Sequence, residues 1–129
     1  MARIVRPGGR VGVLVRSVDT HVVVNLPLRA ELLQKVEAPP RWWGGVGNKG
    51  CADRSLYRRF AEVGLGDVQM IPQYATYTDQ ERLEGLYPQF AALLEPDQQE
   101  EWWRAVATAT STGSAFISQP MHSAVGVKR

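Results

Sequence analysis

The chain has 129 residues, 44% of them hydrophobic and 22% charged, with a formal net charge of +2. That length supports one sizeable core and is short for two domains, while the small, scattered charge argues against nucleic acid or acidic lipid as a partner. A single cysteine, Cys51, excludes an intramolecular disulfide framework and a Cys-based zinc site, and no metal-binding set is recognisable.

Read in chain order, Arg6-Pro7-Gly8-Gly9 is turn chemistry, with Pro7 fixing φ and Gly8 able to take the positive φ of a type II turn. Arg10 to Val15 follows as a strand, apolar on both faces, which predicts cover on both sides. A helix is expected from about Pro27 to Glu37, capped by Asn25 and ended by Pro39-Pro40. A Gly-rich loop carrying Trp42 and Trp43 leads to a second helix capped by Asp53, with Leu56, Phe60 and Val63 on one face and Gly64 as its left-handed stop. Val68 to Tyr77 alternates as a strand, and Pro72 in its middle confines it to an edge or a bulge. Thr78-Asp79-Gln80-Glu81 opens a helix that Pro88 should kink or split. Pro96 starts another, anchored by Trp102, Trp103 and Val106 and ended at Thr112-Gly113. A last strand runs from about Ala115 to Val127, interrupted at Pro120. The apolar runs Val11 to Val15 and Val22 to Val24 are too short for a signal or a membrane span, so a cytoplasmic protein is expected.

Arg3-Ile4-Val5-Arg6-Pro7-Gly8-Gly9 before an apolar strand resembles the turn entering the fifth strand of class I S-adenosylmethionine-dependent methyltransferases, of the small-molecule, ubiquinone-biosynthesis-like type. Leu56-Tyr57-Arg58-Arg59-Phe60-Ala61-Glu62-Val63-Gly64-Leu65 resembles the helix end that precedes the sixth strand of that family. The resemblance covers essentially the whole chain, 1–129, and likens it to the C-terminal half of such a domain, with a helical insertion at about 78–112. It implies an α/β fold, the C-terminal part of a doubly wound Rossmann-like sheet with three strands and about four helices. The first two strands would be parallel and the last antiparallel between them. It also implies S-adenosylmethionine as cofactor and a small molecule as methyl acceptor. The family's Gly-rich cofactor loop and acidic ribose contact precede the Pro-Gly-Gly turn, so no cofactor-binding residue carries over. An acceptor-side half is therefore expected. The alternative is a non-catalytic remnant or interaction subunit. Either way the first strand would be an open edge, suited to self-association or to pairing with an N-terminal half.

Gly45-Val46-Gly47-Asn48-Lys49-Gly50 fits G-x-G-x-x-G as a string, yet no strand precedes it and no helix starts at its end, so it reads as a loop. Ligands of open α/β sheets bind beyond the carboxyl ends of strands, which singles out Arg16 and Ser17 as acceptor contacts. Asp19 and His21 would form a base and its orienting carboxylate if the chain stays extended there. The competing reading is a solvated strand end with ordinary polar residues. Trp42 and Trp43 suit either an acceptor pocket or loop packing. His122, in the last strand, reads as a satisfied core histidine.

Overall fold

A computed structural model describes residues 2–41 and 50–129. The fold is α/β, a mixed sheet of five strands with four helices among the described residues. The strands are β1 (Arg10–Ser17), β2 (Val23–Asn25), β3 (Cys51–Ala52), β4 (Leu65–Tyr77) and β5 (Phe116–Lys128). The helices are α1 (Ala30–Val36), α2 (Leu56–Glu62), α3 (Gln80–Ala91) and α4 (Pro96–Thr112). Two of the five strands, β2 and β3, are short pieces that the sequence pattern does not announce. Contacts divide the chain into two compact units, Met1–Thr20 with Pro39–Tyr74 and Pro120–Arg129, and His21–Ala38 with Ala75–Gln119.

In the first unit the Arg6–Gly9 turn closes with Gly9 N–H donating to Arg6 O at 2.9 Å and Gly8 at φ 78°. This is the geometry that a Pro-Gly pair favours. The turn delivers β1 into an antiparallel ladder with β5, from Arg10 opposite Val127 to Arg16 opposite Met121. On the other flank of β5 lies β4. Leu65 packs against Gly126, and Ser123 Oγ donates to Ile71 O at 2.6 Å, so the pairing residues run in opposite directions. The last strand therefore lies antiparallel between β1 and β4. Pro72 is exposed in β4, whose only strand partner among the described residues is β5.

One face of this unit's sheet is covered. Val11, Ala52, Leu56, Phe60, Leu65 and Ala124 form its core, with α2 supplying Leu56 and Phe60 at i and i+4. The opposite face is not covered as the two-sided apolar pattern predicts. Leu14 is 58% exposed and β1 alternates in burial. The edge is open too: β3 pairs β1 only at Arg16 and Ser17, leaving Arg10 to Val15 with no strand partner on that side among the described residues.

In the second unit β2 pairs antiparallel with the first residues of β5. The expected cap Asn25 instead ends β2 and donates from its side chain to Ser114 O, and α1 starts only at Ala30, after Arg29. Asp79 rather than Thr78 caps α3, accepting from Arg82 N–H at 3.0 Å. Pro88 sits within α3 without splitting it. Helix α4 begins at Pro96 and stops at Gly113, whose φ of 67° suits glycine. Trp102 is fully buried, stacked on Phe90 at 5.8 Å and edge-on to Tyr87 at 6.3 Å, whereas its neighbour Trp103 is 43% exposed and not the core anchor that the pattern suggests.

Pro120 does not interrupt β5. The register with β2 ends at Ser118 and that with β1 begins at Met121, so the missing Pro120 N–H falls outside both ladders.

Candidate functional site

The carboxyl end of β1 carries a buried polar cluster, all of it within the first unit. Strand alternation turns Ser17 toward the covered face, where it is completely buried. The ladder sets His122 opposite Val15 on that same face, 5% exposed. Just past the strand, Asp19 turns back onto both. Its Oδ1 accepts from Ser17 Oγ at 2.9 Å and lies 2.6 Å from His122 Nε2. Its Oδ2 accepts from the backbone N–H of Arg54 at 2.9 Å and from Arg54 Nε at 2.8 Å. Ser17 Oγ is also 3.0 Å from His122 Nε2 and 2.9 Å from Thr20 Oγ1.

The electrostatics follow from these contacts. Burial by itself would raise the Asp19 carboxyl. The hydrogen bonds from the Arg54 side chain, His122, the Arg54 backbone and Ser17 outweigh it and hold that carboxyl well below the usual carboxylate range. Asp19 is thus ionised and acceptor-only, so the short contact to His122 requires a proton on Nε2. Nδ1 of His122 is buried and has no hydrogen-bond partner among the described residues.

Serine, histidine and aspartate together invite comparison with a nucleophilic triad, and the geometry excludes that chemistry. A relay needs the hydroxyl and the carboxylate on opposite ring nitrogens, whereas here both meet Nε2. Ser17 is also completely buried. What this arrangement does is fix the ring and its tautomer.

The loop before α2 is organised for the same purpose. Asp53, expected as the helix cap, accepts from the Ser55 backbone N–H at 2.9 Å and from the Ser55 hydroxyl. That turn aims the Arg54 N–H at Asp19. The Ser55 hydrogen bond is also the main reason the Asp53 carboxyl lies below its ordinary value.

Of the residues singled out from sequence, the structure joins Ser17 and Asp19, and gives Asp19 a histidine other than the expected one. His21 belongs to the second unit, where its Nδ1 is 3.0 Å from Glu37 O. There it lines a depression of about 440 Å³ with Glu31, Gln34 and Glu37. Arg16 is exposed and, by alternation, on the face opposite Ser17. Trp42 and Trp43 lie outside the described residues. His122 and Arg54 were missed. Their signal is the β1–β5 register, which joins residues about a hundred positions apart and is not readable from local pattern. Among the described residues no group of three or more His, Cys, Asp or Glu could hold a metal ion, and no helix is long and apolar enough to cross a membrane.

No family model matches the chain, and no curated protein matches it.

Proposed function

We propose that this chain supplies the acceptor side of an S-adenosylmethionine-dependent methyl transfer to a small molecule. The observation that carries this reading is β5 lying antiparallel between β1 and β4, with β4 at an edge. That is the strand arrangement which the Pro-Gly-Gly turn and the Leu56–Leu65 helix end lead one to expect. The polar cluster at the carboxyl end of β1 supports it further, since strand ends are where α/β sheets bind ligands.

The described residues do not themselves fit the cofactor. None of the connections from β2 to α1, β3 to α2 or β4 to α3 contains a glycine, so no backbone cradle approaches a ligand at a helix start. The strand-end carboxylate has both oxygens engaged within the protein, leaving none for a ribose diol. In this reading the cofactor is held by elements that complete the sheet along β1, and this chain contributes acceptor contacts alone. The Trp42–Trp43 loop remains part of the proposal as an acceptor wall.

A second reading, a non-catalytic subunit that completes a sheet with another chain, is favoured by the open Arg10–Val15 edge and the exposed Leu14. The deciding experiment uses the assembly purified from the protein's own cells. Transfer of a tritiated methyl group from S-adenosylmethionine to a small-molecule fraction supports the enzyme. An assembly that neither binds S-adenosylhomocysteine in a calorimeter nor transfers methyl leaves the subunit reading.

A further inference from the structure

We propose that His122 Nδ1 is a ligand-recognition atom, receiving a hydrogen bond from the hydroxyl of a neutral small molecule bound at the carboxyl end of β1.

The inference starts from which atoms of the cluster are already used. Both oxygens of Asp19 are engaged, Oδ1 by Ser17 and His122 and Oδ2 twice by Arg54. His122 Nε2 is held at 2.6 Å from an ionised carboxylate, which keeps its proton there and leaves Nδ1 as a bare lone pair. That lone pair is buried without a partner among the described residues, in a residue 5% exposed. An unpaired buried acceptor is costly, and a donor brought to it recovers the cost. Three residues hold the ring in place, and none of them uses the remaining nitrogen. This is how a recognition group is preorganised.

The chemistry of the site narrows what it accepts. A ketone or ether has no proton to offer a lone pair. A carboxylate would meet the negative charge of Asp19, already neutralised by Arg54. An ammonium would bring three donors to one acceptor. A hydroxyl on an apolar body matches both the single acceptor and the surroundings. Val15 faces His122 across the ladder and Ala52 faces Ser17, and both belong to the apolar cluster of this unit.

The proposal goes beyond methyl transfer, because binding of this kind needs no cofactor. It is tested on the full chain carrying ¹⁵N-labelled histidine, with benzyl alcohol as probe and benzyl methyl ether as the donor-free control. The expected result is an Nε2–H tautomer for His122 at neutral pH. Saturable displacement of its Nδ1 resonance by the alcohol should follow, with the ether tenfold or more weaker. The His21 resonances should not move. Asp19→Asn, which leaves the imidazole in place, should erase the tautomer preference and weaken the alcohol response several-fold. An Nδ1–H tautomer, an equal response to alcohol and ether, or no response to alcohol because solvent suffices, would each overturn the proposal. A response to the alcohol in an assembly that transfers no methyl would remove the methyltransferase reading and leave this one standing.

Discussion

Asp19 is the residue on which the first unit's polar cluster turns, because it answers Ser17, Arg54 and His122 at once. Its exposed partner is worth little, since Arg54 is 83% exposed and screened by solvent. The buried partners matter more. Replacing Asp19 by Ala strands Ser17 and His122 inside, and should cost about 1–3 kcal/mol of unfolding free energy in urea titrations. The pH dependence has a definite sign. The folded carboxyl is depressed, so its contribution is complete above the unfolded value of about 4 and is lost as the pH falls through the lower folded value. Urea midpoints measured from pH 5 down to pH 2 should therefore fall more steeply for the wild type than for Asp19→Asn. Parallel slopes would show that the carboxylate gains nothing from folding. Sequence alone marked Ser17 and Asp19 correctly as neighbours at a strand end, because strand periodicity and the return of polarity are local signals. It paired Asp19 with His21, two positions away, because His122 comes within reach only through a long-range ladder.

Among the elements, β5 and α4 show what tight packing demands. Gly126 of β5 has Leu65 Cβ 2.9 Å and Phe60 Cδ1 3.4 Å from where its own Cβ would stand. Because Leu65 Cβ is fixed by its backbone, Gly126→Ala should cost about 1–3 kcal/mol. Gly66→Ala is the matched contrast. It meets only the guanidinium end of Arg129, a flexible tip that can swing away, and its thermal midpoint should stay close to the wild type. In α4, Trp102→Ala removes a fully buried ring from between Phe90 and Tyr87 and should cost about 3–5 kcal/mol. Trp103→Ala, on the exposed side, should stay within about 0.5 kcal/mol by the same chemical denaturation. Helix stops at Gly64 and Gly113 were legible because a positive φ selects glycine whatever the tertiary context. The start of α1 was not, since Asn25 looks like a cap and is used instead to tie β2 to Ser114. β3 escaped for another reason: two residues are too few to show any period.

For the molecule as a whole, the strand order was legible only through the Pro-Gly-Gly turn and the Leu56–Leu65 helix end, since alternation says nothing of which strand lies beside which. The uncovered face and open edge of β1 make a prediction about association. Sedimentation should show concentration-dependent self-association of the purified chain. Leu14→Lys, which places a charge on the exposed face, should weaken it about tenfold while leaving the urea midpoint nearly unchanged. A wild-type monomer at millimolar concentration would mean that the edge is protected by other means.

The place of β5 between β1 and β4 also bears on how the protein is made. The chain leaves the ribosome with β1 first, yet the ladder that satisfies β1 begins only when residue 121 has emerged. At roughly 5–20 residues per second, that wait lasts on the order of 5–20 seconds. Through all of it the Val11–Val15 run is exported with neither of its long-range partners. Synthesis thus imposes a window of exposure that the finished fold conceals, and nascent-chain binding by a holdase should peak on that run and end when β5 clears the exit tunnel.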